Sequence, residues 1–261
     1  MASVHPRALT PRGACDTPAG MRETALVIGA GEDTGGAVAR AFAREGYHVC
    51  PTRRPRSQSK LEALCETIRG SGGEATPFGV DARDPDAVAR LAEDVEAIGP
   101  IAVCVFNIGA NVRFGVGETT PRVFRKVWEM ACYAGFLAAH NVLPRMAARG
   151  AGTMIFTGAT ASTRGASGFS AFSSAKAGLC NLAQSCAREF GPQGVHVAHV
   201  VIDGMIDSRF IRDNVPGVDG LRKAGRILHP DHIAAHYVHI HRQPRDAWTF
   251  ESDLRPYGET W

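Results

Sequence analysis

The chain has 261 residues, of which 29 are lysine or arginine and 26 are aspartate or glutamate, giving a net charge of +3. This length suits one α/β domain with a sizeable core, and the balanced charge argues against nucleic acid or a membrane surface as a partner. No apolar run reaches the roughly 18 residues that a membrane span needs, so the composition predicts a soluble protein.

Residues 1–21 differ in composition from the rest of the chain. They contain three prolines, one acid and no apolar segment long enough for a signal peptide. We therefore expect a disordered N-terminal arm, with Met21 as an alternative start, and a single domain over residues 22–261.

The seven cysteines are odd in number, scattered, and mostly placed inside apolar runs, and no CxxC pair occurs. This usage is typical of reduced core thiols rather than of disulfides or a metal cluster. It predicts a cytoplasmic location.

The structured part begins with a strand, a turn and a helix. The run TALVIGAGEDTGGAVARAFAREG, which starts at Thr24, combines a short apolar segment, clustered glycines and an amphipathic, alanine-rich stretch. Glycine at such a turn allows a tight bend and lets a pyrophosphate approach the helix N-terminus. Taken alone, this motif is a weak indication of nucleotide binding.

Strands and helices then alternate along most of the chain. Repeated βα units at this spacing predict a parallel sheet covered on both faces, which is an α/β fold with three α/β/α layers. The further predicted strands lie at residues 48–52, 76–80, 101–107, 153–156 and 195–202. The further predicted helices lie at residues 60–70, 85–98 and 121–149, on the segment that carries Lys176, and from Pro230 onwards.

The C-terminal region contains a histidine-rich helix and a terminal segment, AWTFESDLRP, that is predicted to add a short edge strand. Histidines 229, 232, 236 and 239 are spaced 3, 4 and 3 residues apart, which resembles a metal-binding array on one helix face. Ile233, Tyr237 and Ile240 define the opposite, buried stripe, so we favour a solvated histidine face and expect no metal site. His241 is expected to pack with the C-terminal segment.

Three motifs occur in a matching order. They are the glycine turn, Asn107-Ile108-Gly109 after the fourth strand, and Phe172 four residues before Lys176 on a helix. With them, residues 22–255 resemble the short-chain dehydrogenase/reductase family, in an atypical form with an incomplete glycine motif and phenylalanine at the catalytic tyrosine position. The resemblance implies a Rossmann-type doubly wound sheet, a nicotinamide cofactor, a small-molecule substrate and a homodimer or homotetramer.

The glycine motif of the family falls on Ile28, Gly29, Asp33 and Gly35. Isoleucine replaces the usual threonine, and Asp33 replaces the middle glycine. A carboxylate near a pyrophosphate is unfavourable by Coulomb's law unless the loop turns it outward. The alternative is a turn that no longer holds a nucleotide.

The residues after the second strand bear on the choice of cofactor. Family members that prefer NAD place an acid there, whereas this chain has Arg53 and Arg54. Two arginines suit a 2′-phosphate, so NADP(H) is favoured over NAD(H). The alternative is a pair of solvated arginines before a helix.

The resemblance assigns further cofactor contacts. Asp81 matches the residue that meets the adenine amine, Gly109 lies in the loop that passes the nicotinamide ribose, and Ser208 stands where a threonine meets the nicotinamide amide. The remaining residues of the implied cofactor site are Asn107, Lys176 and Gly204.

The catalytic residues of the family are mostly replaced. By resemblance, the tyrosine, serine and asparagine positions fall on Phe172, Ala159 and Ala131, and only Lys176 is kept. Losing a positioned general acid slows proton transfer by roughly a hundred- to ten-thousand-fold. The usual mechanism of the family therefore does not apply to this chain as it stands.

Two explanations remain open. In the first, the protein is still an oxidoreductase, and another hydroxyl replaces the tyrosine. Thr160, Ser162 and Ser173 are candidates, while Tyr133 is expected to face away. In the second, the fold is kept as a nucleotide-binding or subunit-pairing module without turnover.

The loop after the fourth strand carries Asn111 and Arg113, where the family lines the mouth of its substrate site. Arg113 is a candidate to hold an acidic substrate, or to pair with a local acid such as Glu118.

Overall fold

The structure is a computed structural model that describes residues 22–259. The predicted N-terminal arm lies outside this range. Across the described residues, none of the helices combines the length and apolar character that crossing a membrane requires.

A parallel sheet of eight strands forms the centre of the fold, in the order β10-β7-β6-β5-β1-β2-β3, with β4 also paired to β2. Two short strands, β8 and β9, pair with each other separately. The strands are β1 (Thr24–Ile28), β2 (His48–Arg53), β3 (Glu74–Ala75), β4 (Phe78–Gly79), β5 (Ile101–Phe106), β6 (Gly152–Thr157), β7 (Val195–Ile202), β8 (Met205–Ile206), β9 (Ile227–Leu228) and β10 (Glu251–Leu254).

Helices cover both faces of the sheet. One core contains Phe42, Leu61 and Tyr237 from α1, α2 and α10, and the other contains Leu91, Leu143 and Leu179 from α3, α5 and α7. The helices are α1 (Thr34–Arg44), α2 (Gln58–Gly70), α3 (Pro85–Ile98), α4 (Pro121–Trp128), α5 (Ala134–Arg149), α6 (Thr160–Thr163), α7 (Ser170–Phe190), α8 (Arg209–Asn214), α9 (Val218–Lys223) and α10 (Pro230–His241). The predicted three-layer α/β/α fold is confirmed.

The strand order creates a crevice at the carboxyl ends of two central strands, β1 and β5. The chain runs outward from β1 through β2 to β3, then returns to β5 on the other side of β1 and continues outward to β10. The connections therefore leave β1 and β5 in opposite directions, which opens a gap beyond their carboxyl ends. Gly29 and Asn107 directly follow these two strands and lie at that gap.

Two predicted elements differ from the structure. The single strand expected at residues 76–80 is instead the two short strands β3 and β4, separated by Thr76 and Pro77, and proline has no N–H to offer a sheet. The long helix expected over residues 121–149 contains a π-helical turn, Glu129–Tyr133, between α4 and α5. The edge strand expected near the C-terminus is confirmed as β10, parallel to β7.

The histidine-rich helix is α10. His229, His232 and His239 are exposed, as expected for a solvated face, whereas His236 is half-buried and its Nε2 lies 2.8 Å from the Ser252 hydroxyl. His241 is buried, with Nδ1 2.9 Å from the Thr153 hydroxyl and Nε2 2.7 Å from the Tyr47 hydroxyl. It therefore packs into the protein interior, and it joins α10 to β6 and to the residue before β2.

Candidate functional site

A cavity of about 220 Å³ opens at the carboxyl ends of β1, β2 and β5. It occupies the crevice that the strand order creates. Six of the residues predicted to bind a cofactor line it, namely Gly29, Arg53, Arg54, Asp81, Asn107 and Gly109.

The glycine turn forms one wall of this cavity. Gly29 has φ of +92°, which a residue with a side chain rarely adopts. A Cβ at Gly35 would lie 2.8 Å from the Ala30 Cα and would also collide with the Gly29 carbonyl oxygen. Both glycines are therefore needed for α1 to start so close to the turn.

Asp33 is turned towards α8. Its carboxylate accepts a hydrogen bond of 2.8 Å from the backbone N–H of Arg209, and the Arg212 guanidinium lies 3.5 Å away. The loop therefore gives this carboxylate a cationic neighbour and a backbone donor. The electrostatic objection to an acid in the glycine motif is reduced by this orientation.

Three arginines lie at the end of the cavity next to β2. Arg53 and Arg54 follow from the sequence, but Arg83 was not predicted, and it also lines the cavity. Arg83 forms a two-point contact with Asp81, with Nη2 2.6 Å from Oδ2 and Nε 3.0 Å from Oδ1. The sequence signal was the spacing Asp81-Ala82-Arg83, which lets an arginine fold back onto an aspartate after β4.

The charge at this end of the cavity is predominantly positive. Burial lowers the pKa of the Arg54 guanidinium, and nearby Arg56, Arg83 and Arg53 lower it further while Asp81 opposes them. Asp81 in turn has a lowered pKa, chiefly because of its hydrogen bonds from Arg83. One carboxylate thus faces several guanidinium groups, an arrangement suited to an anionic ligand.

Asn107 connects the two strands that flank the crevice. Its side-chain amide donates a hydrogen bond of 3.2 Å to the Gly29 carbonyl. Gly109, two residues further on, has open space where a Cβ would be. Asn107 therefore fixes the loop after β5 against the glycine turn, whereas the loop is open towards the cavity at Gly109.

Lys176 lies directly behind this loop. Only 2% of its surface is exposed, and its ammonium donates to the Thr157 carbonyl at 2.8 Å and to the Ile108 carbonyl at 3.1 Å. Since an ammonium has three N–H groups, one remains for a ligand or water. Burial lowers the pKa of Lys176 to about 8.

The region around Phe172 is apolar. Its ring is 8% exposed and belongs to a cluster with Ala131, Cys132 and Ala175, against which Ala159 also packs. The three positions that the family resemblance assigns to tyrosine, serine and asparagine thus contribute to one apolar patch. None of the side chains at these three positions, Phe172, Ala159 and Ala131, can exchange a proton.

The candidate replacement hydroxyls are already engaged or enclosed. Thr160 donates a hydrogen bond of 2.6 Å to Asp203, and the Ser162 hydroxyl accepts one of 3.1 Å from the backbone of Ala159. Ser173 has a buried hydroxyl with no hydrogen-bond partner within residues 22–259. Tyr133 stacks between Trp128 and Phe136.

Asp203 organises the loop around Thr160. Besides Thr160, it accepts hydrogen bonds from Arg164 at 3.0 Å and from Arg255 at 2.6 Å. Burial alone would raise the pKa of Asp203, but the hydrogen bonds from Thr160, Arg255 and Arg164 lower it. Sequence reasoning missed this network, because its arginines are far apart along the chain.

Two predicted cofactor residues have structural partners. Ser208 caps α8 by accepting a hydrogen bond of 3.3 Å from the Ile211 N–H. A Cβ at Gly204 would lie 2.6 Å from the Pro256 Cδ, so glycine allows the C-terminal segment to pack there. Neither residue lines the cavity.

Of the two roles considered for Arg113, pairing with Glu118 is not observed within the described chain. The Arg113 guanidinium lies 5.8 Å from the centre of the Phe169 ring. Glu118 instead accepts a hydrogen bond of 3.1 Å from the Gly115 N–H in its own loop. Asn111 and Arg113 are both exposed.

The doubly wound sheet, with a cavity at the point where its strand order reverses, defines a Rossmann-type α/β protein. The sequence profile of the short chain dehydrogenase family matches residues 23–217. The chain therefore belongs to the short-chain dehydrogenase family of oxidoreductases, whose members bind a nicotinamide cofactor.

Solved structures support this assignment. A short-chain dehydrogenase from Rhodopseudomonas palustris is 43% identical, with a TM-score of 0.78, and the match covers 90% of this chain and 99% of that one. A metagenomic short-chain oxidoreductase in complex with NADP is 26% identical, with a TM-score of 0.76, and the match covers 90% of this chain and 97% of that one.

A sequence relative matches over a shorter region. The short chain dehydrogenase MYCFIDRAFT_6125 of Pseudocercospora fijiensis is 33% identical over 178 residues. This match covers 66% of the present chain and 56% of the relative, so the chain spans little more than half of that protein.

Proposed function

We propose that the protein is an NADP(H)-dependent oxidoreductase that acts on a small carbonyl, alcohol, activated alkene or imine with a non-standard set of catalytic residues. The observation that carries this proposal is the positive end of the cavity, where Arg53, Arg54 and Arg83 lie together. Guanidinium groups recognise phosphate by charge and by paired hydrogen bonds, so this end suits the 2′-phosphate that distinguishes NADP(H) from NAD(H).

The residues present fit such a cofactor. The turn at Gly29 and Gly31 lines the cavity and leaves room beside the N-terminus of α1 for a pyrophosphate. Gly109 leaves open space along the loop after β5, and Lys176 retains one N–H for a ribose hydroxyl. When bound, the nicotinamide supplies hydride transfer.

The apolar patch around Phe172 favours a particular kind of substrate. Phe172 excludes water from this corner but cannot give a proton to a substrate oxygen. Lys176 is held by two carbonyls and orients the cofactor rather than acting on the substrate. An activated alkene or an iminium ion accepts hydride with less help from an acid, so these acceptors suit the site better than a simple ketone.

Two exposed residues are the proposed substrate contacts. Asn111 and Arg113 lie on the loop after β5, and the absence of an ion pair to Glu118 in the described chain leaves Arg113 available to an acidic substrate. Replacement of Arg113 by alanine should weaken binding of such a substrate and leave NADPH affinity unchanged.

A panel of substrates tests the oxidoreductase. NADPH oxidation would be followed with ketones, quinones, enones and imines, using Lys176→Met as the matched control. Turnover with an enone or imine that Lys176→Met abolishes is the expected result. Silence across the panel, with NADPH binding intact by calorimetry, would reject turnover and leave a nucleotide-binding or subunit-pairing module.

The second candidate, a module without turnover, is favoured by one observation. Thr160 and Ser162 are engaged in hydrogen bonds within the protein, and Phe172 is packed in an apolar cluster. The double replacement of Phe172 by tyrosine and Ala159 by serine separates the two candidates further. A gain in carbonyl reduction is expected if the site is still built for hydride transfer, and no gain would favour the module.

The proposed setting is cytoplasmic. The six described cysteines are free and buried, and burial raises the pKa of Cys50 and of Cys65, which keeps these thiols protonated. Such thiols persist in a reducing compartment.

A further inference from the structure

Three potential metal ligands meet at the edge of the sheet that lies away from the cavity arginines. They are Cys180 on α7, His199 on β7 and Glu251 on β10, and their ligand atoms all lie within 4.8 Å of one another. Cys180 is one helical turn after Lys176, but the other two residues are not part of the site described above. Within residues 22–259, no other group of three or more histidine, cysteine or acidic side chains meets this distance.

The separations between these atoms are close to those around a tetrahedral zinc ion. The His199 Nδ1 lies 2.9 Å from the Glu251 Oε2, and the Cys180 Sγ lies 3.5 Å from the same oxygen. With Zn–N and Zn–O bonds of about 2.0 Å and a Zn–S bond of about 2.3 Å, tetrahedral ligand atoms are separated by roughly 3.3 to 3.6 Å. A shift of a few tenths of an ångström brings the His199–Glu251 pair to this separation, and the Cys180–Glu251 pair already has it.

The ring of His199 is held in a fixed direction. A Cβ at Gly158 would collide with the His199 Nε2, so the glycine allows the ring to pack against the residue that follows β6. With Nε2 enclosed there, Nδ1 is the nitrogen that faces Cys180 and Glu251.

Charge and access also suit a divalent cation. One thiolate and one carboxylate balance two positive charges, and sulfur with imidazole and carboxylate is a donor set that zinc accepts. Cys180 and His199 are buried, whereas the Glu251 side chain is 43% exposed. A metal ion from solvent can therefore contact the exposed Glu251 carboxylate first and then reach the two buried ligands.

We propose that Cys180, His199 and Glu251 bind one zinc ion, with water as the fourth ligand. Binding displaces the proton of the Cys180 thiol into solvent and forms a Zn–S bond. The ion joins α7, β7 and the short edge strand β10, which is otherwise the least enclosed strand on this side of the sheet.

The test uses full-length protein carrying Cys15→Ser, which removes the one cysteine outside the described residues. After chelator treatment, the protein is titrated with zinc chloride against a chromophoric chelator, and with cobalt chloride to record the thiolate-to-cobalt absorbance. We expect one equivalent per chain, a thiolate band, and a melting temperature several degrees higher with zinc than without it.

Matched variants decide the assignment. Cys180→Ser and Glu251→Gln should weaken zinc binding by at least roughly a hundredfold, beyond what loss of a residue that only hydrogen-bonds to a ligand costs. Cys180→Ser should also remove the cobalt band. Cys186→Ser, a buried thiol on the same helix, should change neither.

A second control addresses the histidine-rich helix. The double variant His232→Ala, His239→Ala should keep the full zinc affinity, because these exposed side chains are not in the proposed site. Less than one equivalent of zinc in the Cys15→Ser protein, or equal affinity and an unchanged cobalt band in Cys180→Ser, would overturn the proposal. Glu251 lies at the surface, so its variant gives an answer even where a buried replacement unfolds.

Discussion

At the scale of single residues, the site is defined by where positive charge is concentrated. Arg53, Arg54 and Arg83 share one end of the cavity, and Asp81 offsets part of their charge through Arg83. Arg53 and Arg54 could be predicted because they lie at the carboxyl end of the second strand. Arg83 was missed: its spacing from Asp81 indicates the contact between these two residues, but only the fold brings the loop after β4 next to the loop after β2.

Replacement of Arg83 by alanine should weaken NADPH binding by roughly 10- to 100-fold, because a charge-assisted hydrogen bond contributes about 1.5–3 kcal/mol. NADH, which lacks the 2′-phosphate, should lose much less. Calorimetry with both nucleotides measures the difference. Arg90→Ala is the control, since this exposed arginine on α3 does not line the cavity. Equal losses for the two nucleotides would contradict a role in phosphate recognition.

The pKa of Lys176 makes a second prediction at this scale. Its ammonium form donates hydrogen bonds, and burial lowers its pKa to about 8. NADPH affinity should therefore be constant below about pH 7 and fall as the pH rises through 8, to roughly a tenth of its low-pH value at pH 9, because the charged fraction of the lysine is about one half at pH 8 and about one tenth at pH 9. Affinity measured from pH 7 to 9.5 tests this, with Lys176→Met expected to bind weakly at every pH. A wild-type affinity that does not vary with pH would rule out the ammonium as a ligand group.

At the scale of elements, the glycine turn and α1 form one unit. The strand, turn and helix could be predicted from the run of apolar residues and glycines, and so could most of the βα alternation. The direction of the Asp33 side chain could not, because it depends on α8, which begins 176 residues later. The π-helical turn at Glu129–Tyr133 was also missed, since its sequence is compatible with a regular helix.

Gly35→Ala tests the packing within this unit. The added Cβ would meet the Ala30 Cα and the Gly29 carbonyl, so α1 must shift. We expect a loss of about 1–3 kcal/mol in the free energy of unfolding, the usual cost of overpacking. Gly31→Ala is the control, because nothing lies within 4 Å of its Cβ. Denaturant unfolding that leaves the two variants equally stable would show that α1 packs less tightly than described.

At the scale of the whole molecule, a few buried contacts join distant parts of the chain. The apolar cores follow from the sequence pattern, and His241 was expected to be packed. Its partners Tyr47 and Thr153 are 194 and 88 residues away, so no local pattern identifies them. The same limit applies to Cys180, His199 and Glu251.

His241→Leu should destabilise the protein by about 1–3 kcal/mol, because it leaves the buried Thr153 hydroxyl without this partner. Leucine fills a similar volume in the core, so the decrease in the free energy of unfolding mainly measures the lost hydrogen bonds. His239→Leu, an exposed position on the same helix, should change stability by less than about 0.5 kcal/mol. Urea unfolding of both variants provides the comparison, and equal stabilities would mean that the His241 hydrogen bonds contribute little.

The assembly of subunits is a further prediction at this scale. Trp128 and Phe136 are 41% and 44% exposed and stack with Tyr133 along α4 and α5. Family members are typically oligomeric, and we expect light scattering to show a homodimer or homotetramer. Trp128→Glu with Phe136→Glu should yield smaller species, whereas Phe210→Glu, at an exposed position on α8, should not. A monomeric wild-type chain would contradict this expectation.

Binding of NADP(H) is the claim on which the proposed function depends. Its most direct measurement is calorimetric titration of the purified protein with NADPH and, separately, with NADH at pH 7. We predict one NADPH site per chain and binding at least about tenfold tighter than that of NADH, because of the arginines at one end of the cavity. No detectable binding of NADPH, or equal affinity for the two nucleotides, would contradict NADP(H) as the cofactor of this protein.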